Sequence, residues 1–169
     1  MTVTQFLAIL RPRLGDAGKL TYDDDELLGY LNDAVEQLSL ERITSKDPTM
    51  IVEEEITPGT DAIPDGFISF AGQFPVYFAG GKIMSLDGET GKRTVRYFAV
   101  KPRLASVEGS LPFGDEAVHT LLNYALTAAA ARTGADASTE GEIGQRGARA
   151  LMRGAYGIGR AVQNNAEAR

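Results

Sequence analysis

Two clusters of acidic residues are the strongest candidates for chemistry in this sequence. The first opens the stretch TYDDDELLGYLNDAVEQLS, residues 21–39, with three aspartates and a glutamate. Adjacent carboxylates can bind a divalent cation or take part in acid–base catalysis. A helix start explains the pattern better, because Asp23 stands at the N-cap position and Glu26 at N3, as in an aspartate variant of the capping box. We therefore interpret Asp23 and Glu26 as helix-cap residues.

The second cluster is the run Glu53–Glu55 within IVEEEI, a pattern typical of a β-strand. Successive side chains of a strand point to opposite faces, so Glu53 and Glu55 share one face and Glu54 lies on the other. A pair of catalytic carboxylates is one interpretation of this run. The alternation favours another, a solvent-exposed edge or the wall of a channel.

Other motifs that could carry catalysis are incomplete. His119 is the only histidine, and Asp115, four residues earlier, predicts a helical ion pair. The segment GETGKRT has Leu86 where a phosphate-binding loop requires glycine, and GAYGIG has the wrong glycine order for a dinucleotide-binding fingerprint. We predict no catalytic residue, no bound metal and no cofactor, and hence a protein that is not an enzyme.

Composition limits the partners of the chain. Its 169 residues carry a formal net charge of −6 and include no cysteine, which excludes disulfides and zinc–thiolate sites. An acidic protein is disfavoured as a general nucleic-acid coat. No apolar run approaches the roughly 20 residues that a membrane span needs, so we expect no membrane partner and synthesis in the cytoplasm. The C-terminal segment is locally basic, and its arginines are Arg146, Arg149, Arg153, Arg160 and Arg169.

Hydrophobic periodicity predicts an α+β fold in one domain over residues 1–169. Apolar residues at helical spacing predict helices within about 3–44 and 113–163. Between them, about residues 50–108 hold short runs rich in Phe, Tyr, Val and Ile, separated by turn signals such as Gly80-Gly81 and Asp87-Gly88. The expected architecture is an antiparallel bundle of about four helices with a β-rich hairpin insertion between the second and third helices.

The last predicted helix is rich in glycine and starts with a capping box, Thr139-x-x-Glu142. Glycine weakens a helix, so its repeated use favours close packing, here on the alanine-rich helix from Asp115 to Arg132. A frayed tail is the alternative. Arginines at helical spacing form a stripe on one face, open to a partner or simply solvated. The stripe is Arg146, Arg149, Arg153 and Arg160; the packing side is Ile143, Ala150, Leu151, Ile158 and Val162, with Gly147 and Gly154 among them.

Three short motifs lie in a fixed order along the chain. Tyr22 to Ala34 fits [YW]-[ST]-D-x-E-L-L-x-Y-L-N-D-A, with Asp23 in place of Ser or Thr. IPDGF, residues 63–67, precedes the β-rich segment, and Leu111-Pro112 precedes the segment Leu122-Asn123-Tyr124. These motifs and the order of the elements resemble the head-to-tail adaptor proteins of tailed bacteriophages, also called connector, head-completion or gatekeeper proteins.

The resemblance implies a structural protein of the virion neck and not a catalyst. Such proteins form a ring, usually dodecameric, that joins the portal protein to the tail tube or nozzle protein while genomic DNA passes through the lumen. On this basis Glu53 and Glu55 are candidates for a lumen or rim surface, since carboxylates repel passing phosphates. The five C-terminal arginines are candidates for contact with the portal or a neighbouring subunit. Two other interpretations stay open: a regulatory module whose basic C-terminal helix contacts nucleic acid, and a hydrolase using Asp/Glu pairs.

Overall fold

The structure, a computed structural model, describes residues 1–133 and 141–151. Helices lie at both ends of the described chain, and the strands lie between them. The helices are α1 (Val3–Arg13), α2 (Asp24–Thr44), α3 (Val118–Thr133) and α4 (the helical residues 141–151), and the strands are β1 (Ile51–Ile56), β2 (Phe67–Phe70), β3 (Val76–Ala79), β4 (Lys82–Ser85) and β5 (Arg93–Ala99).

Helices α1, α2 and α3 form the larger of two hydrophobic cores, and α4 adds Ala148 to it. Leucines at helical spacing on α2 supply much of this core, because one side of the helix faces α3 along its length. At the start of α1, the side chains of Thr2 and Gln5 form a reciprocal capping box. No helix in residues 1–133 or 141–151 is long and apolar enough to cross a membrane.

Asp23 is the N-cap of α2, and its carboxylate accepts a hydrogen bond of 2.7 Å from the backbone N–H of Glu26. The Glu26 side chain does not return to the cap as a capping box requires. Instead, its carboxylate accepts a hydrogen bond from the Tyr30 hydroxyl and forms an ion pair with Arg132 of α3. Glu26 therefore links the start of α2 to the end of α3.

Replacing Asp23 with alanine should lower the free energy of unfolding by about 1 kcal/mol, because the N–H of Glu26 loses its acceptor. Urea denaturation would measure this change, and Asp23→Asn, which keeps an acceptor oxygen, is the matched control and should lose less. A metal site would behave differently. If calcium or magnesium raises the melting temperature and Asp23→Ala abolishes that rise, the cap interpretation is wrong.

The predicted bundle with a hairpin insertion is wrong, because the strands form two antiparallel sheets. One has the order β1-β5-β2 and the other consists of β3 and β4. The first strand of the insertion thus pairs with the last, with Ile51 opposite Phe98 and Ile56 opposite Arg93. An isolated hairpin leaves its apolar face in water and is marginally stable at best. The β3–β4 hairpin is covered by the three-stranded sheet instead.

The two sheets enclose the second hydrophobic core, whose buried residues come from β1, β3, β4 and β5. Phe78 of β3 crosses between the sheets, with its ring stacked on Phe70 at 5.4 Å and set edge-on to Phe67 at 5.1 Å. Gly80 and Gly81 join β3 to β4 with φ angles of 57° and 75°, which glycine adopts without steric cost. We call residues 51–99, which contain both sheets, the β-unit.

Helix α4 packs antiparallel to α3 through its glycines. A Cβ atom added at Gly144 would meet the Tyr124 ring at 2.6 Å, and one at Gly147 would meet Thr120 Oγ1 at 2.7 Å. Packing of the small side on α3 was predicted, but Ile143 and Ala150 are exposed rather than on the packing side. The predicted packing residues Gly154, Ile158 and Val162 lie outside the described residues.

Candidate functional site

A buried ion network holds the start of α2 against α1. The Arg11 guanidinium donates to the Asp16 carboxylate at 2.7 Å and to the backbone carbonyl of Tyr22 at 2.9 Å, and it also binds Asp24. Arg11 and Asp16 are both buried. The Asp16 carboxylate accepts further hydrogen bonds from the backbone N–H groups of Leu20, Thr21 and Tyr22.

This network fixes the charge of its two aspartates. Hydrogen bonds from backbone N–H groups, led by that of Thr21, lower the pKa of Asp16, with a further contribution from the Arg11 charge. The hydrogen bond from Arg11 is the main cause that lowers the pKa of Asp24. The loop that leads into α2 is thus tied down by a charged and fully bonded cluster.

Other polar residues of the Tyr22–Ala34 motif also hold elements together. The Asn32 side chain pairs with the backbone of Leu104, since its amide donates to the carbonyl at 3.0 Å and its oxygen accepts from the N–H at 2.7 Å. This contact ties the segment that follows β5 to the middle of α2. Arg132 lies 5.5 Å from the centre of the Tyr22 ring, a cation–π contact between α3 and the start of α2. The side chains of this motif therefore hold the segment after β5 and the end of α3 against α2.

The three glutamates of β1 are paired with side chains of β5 or, for Glu55, with the residue directly before it. Glu53 lies 3.7 Å from Arg96, and Glu55 lies 2.6 Å from Lys92. Both glutamates are exposed, so their face carries a ladder of ion pairs and not a bare row of carboxylates. Glu54 lies on the opposite face, where it accepts a hydrogen bond of 2.7 Å from the Tyr97 hydroxyl.

Burial and the neighbouring Glu54 carboxylate raise the pKa of Tyr97 to about 12. Because the neutral phenol is favoured in the folded state, this residue should cost stability as the pH rises from about 10, the value for an unfolded chain, to about 12. Ultraviolet titration of the phenols should show that Tyr97→Phe removes a group titrating near pH 12. A difference curve centred near pH 10 while circular dichroism remains native would contradict this assignment, and Glu54→Gln should shift the curve downward.

Two of the predicted arginines lie in the described part of α4. Arg146 pairs with Glu142 on its own helix at 3.0 Å. Arg149 lines a groove of about 670 Å³ between α2 and α4, together with carboxylates of α2. The groove residues on α2 are Asp33, Glu36, Gln37, Leu40, Glu41 and Thr44, and Ser45 directly after the helix also lines the groove. Arg153, Arg160 and Arg169 lie outside the described residues.

The weaker motifs take structural roles. The predicted helical pair of Asp115 and His119 is wrong, because Asp115 lies in a short 3-10 turn and binds the α-amino group of Met1 at 3.0 Å. In the loop around GETGKRT, Arg93 and the Ser85 hydroxyl bind Asp87 and lower its pKa. Within residues 1–133 and 141–151, no cluster of three histidine or acidic side chains could hold a metal ion.

An uncharged surface on the β-unit was not identified from the sequence. From Gly66 to Gly81 the chain has no Asp, Glu, Lys or Arg, the longest such run in the sequence. Only Val76 of this run is buried, and several of its large apolar side chains are exposed. The absence of charged residues over this run is the sequence feature that could have identified the surface. Exposed large apolar residues of the β-unit are Val52, Ile63, Ile68, Tyr77, Phe78 and Leu86.

The resemblance to phage adaptors rests on the motifs and on the order of the elements. No protein-family model and no curated protein matches this sequence.

Proposed function

We propose that this protein is a head-to-tail adaptor of a tailed bacteriophage, a structural subunit of a ring that joins the portal to the tail and lets DNA pass. One observation carries the proposal: the polar residues of the Tyr22–Ala34 motif bind other elements of the same chain. Asp24 binds Arg11, Glu26 binds Arg132, and Asn32 binds the backbone of Leu104. A motif with these contacts specifies a fold, so a shared motif supports a shared architecture, and the adaptor function is inferred from that architecture by analogy.

In the proposed ring, Glu53 and Glu55 are candidates for the lumen or the rim. Their ion pairs with Lys92 and Arg96 make that face nearly balanced in charge. A balanced surface offers passing DNA few free cations, so little counterion release would favour its retention. A ring map with both side chains on the outer circumference would end this assignment.

The test is assembly with the portal protein encoded in the same genome. Purified full-length protein and portal rings are mixed, separated by size and imaged in negative stain. The expected result is a second ring below the portal, with a copy number that native mass spectrometry can count. Absence of binding over a range of salt concentrations would overturn the proposal.

The alternative is a regulatory module that contacts nucleic acid through its basic C-terminal helix. Arg146 already pairs with Glu142, and Arg149 lines a groove with Asp33, Glu36 and Glu41, so these arginines favour a protein surface over phosphate. Filter binding to duplex DNA separates the two functions. Tight binding that weakens steeply with salt, combined with no portal binding, would favour the regulatory module.

A further inference from the structure

The β3–β4 hairpin is apolar on both faces. Residues that pair across an antiparallel ladder share a face, so Phe78 and Ile83 lie on the inner face, towards the three-stranded sheet. Tyr77 and Met84 form the next pair and therefore lie on the outer face. Leu86 donates its N–H to the carbonyl of Pro75 at 2.8 Å and extends this outer face.

This outer face is exposed. Leu86 is 66% exposed and Tyr77 is 44% exposed, although both are large apolar residues. A strand with one face in water normally alternates apolar and polar residues, whereas continuous apolar runs are typical of strands covered on both faces. The sequence PVYFA of residues 75–79 thus fits a strand whose second face is covered.

The outer edge of β3 is also open, since among the described strands β3 pairs only with β4. Soluble proteins usually protect such an edge with charged side chains, with lysine above all. No charged residue occurs between Gly66 and Gly81, so β3 has no such protection. An open edge without charged side chains is able to pair with a strand of another chain.

We propose that a second copy of this chain docks on this surface, which consists of the open edge of β3 and the outer face of the β3–β4 hairpin. A second copy is the occupant that the proposed ring requires, and charge selects this surface for it. Each copy carries a net charge of −6, so two copies repel except where their contact surfaces are uncharged. The 66–81 run is the longest uncharged run, and most of it is exposed. Pairing of two β1 edges, in contrast, would bring the glutamates of both copies together.

This inference rests on the proposed function, because a ring requires each subunit to contact another copy. The test compares full-length wild type with Tyr77→Lys and Leu86→Lys by sedimentation velocity over a range of concentrations, and by native mass spectrometry on portal rings. Leu20→Lys is the matched control, since Leu20 is 92% exposed in the loop before α2 and lies outside the β-unit. Melting temperatures show whether each variant is folded.

We expect both β-unit variants to weaken self-association by at least about tenfold, because a charge in the contact has no partner. The control should associate like the wild type. Tyr77→Glu and Leu86→Glu should behave like the lysine variants, since an uncharged contact rejects either sign. Folded variants that assemble normally, or a wild type that stays monomeric both in solution and on the portal, would overturn the inference.

Further outcomes separate this inference from the proposed function. Loss of self-association in the variants, with a wild type that does not bind portal, supports the docking surface and overturns the adaptor function. Normal assembly of the variants on portal overturns the docking surface and supports the adaptor function. Neutral phosphatidylcholine vesicles test a lipid occupant. A monomeric wild type that binds these vesicles, with binding lost in Tyr77→Lys, would assign the surface to a membrane and overturn the inference.

Discussion

Replacing Arg11 with alanine should lower the free energy of unfolding by about 3–5 kcal/mol, the largest single effect that we expect. The reason is the Asp16 carboxylate, which is buried and loses the charged partner at 2.7 Å. The backbone carbonyl of Tyr22 loses its donor in the same substitution. Urea denaturation would measure the change. Arg13→Ala is the matched control, because Arg13 lies on the same helix and is exposed.

The effect of Arg11 should also depend on pH. The pKa values of Asp16 and Asp24 are lowered in the folded state, so their contribution is present at neutral pH and is lost as the pH falls below the ordinary value of 3.8. Protonation of the two aspartates removes the charges that Arg11 binds. The difference in stability between wild type and Arg11→Ala should therefore shrink below about pH 4. A difference that is constant from neutral to acidic pH would show that Arg11 contributes by packing alone.

The second large effect is expected at a glycine. Gly144→Ala should lower the free energy of unfolding by about 1–3 kcal/mol, because the added Cβ would lie 2.6 Å from the Tyr124 ring. Tyr124 has little room to move. Its side chain is buried, and its hydroxyl donates to the Glu41 carboxylate, whose oxygens lie at 2.7 and 2.8 Å.

The same substitution at Gly29 should have the opposite sign. Gly29 lies within α2, and a Cβ atom there would meet nothing within 4 Å. Alanine is the better helix former by about 1 kcal/mol, so Gly29→Ala should stabilise the protein. Urea denaturation of both variants tests the packing of α4 on α3 without any assumption about function. If Gly144→Ala is as stable as Gly29→Ala, α4 does not approach α3 as closely as described.

Local features were accessible from the sequence, and long-range ones were not. The Asp23 cap depends only on residues within one helical turn, so its pattern is visible in the sequence. The Arg11 network joins α1 to the following loop and to α2. The sequence analysis interpreted the acidic run that contains Asp24 only as the start of a helix, so this contact was not predicted. A buried arginine gives no sequence signal, because arginine is usually exposed.

The predicted arrangement of the strands in the β-unit was wrong for a related reason. Alternating patterns and turn glycines predict strands, but they do not show which strands pair. β1 pairs with β5, although three other strands lie between them in the sequence. In α4 the error had another cause. Gly147 was assigned to the packing side and does lie against α3, but Ile143 and Ala150 were assigned with it and are exposed. Periodicity follows apolar side chains, so it gave no weight to Gly144, which makes the closest contact.

The pairing of β1 with β5 has a consequence for how such a chain can change over evolutionary time. Ile51 and Phe98 are direct neighbours in the ladder, so the polypeptide leaves the helical body and rejoins it at almost the same place. Growth or loss of sequence between these two points leaves the spacing of the helices untouched, as at positions that tolerate domain insertion. Descendants of one ancestor can therefore differ widely in the length of this region and share the same helical frame.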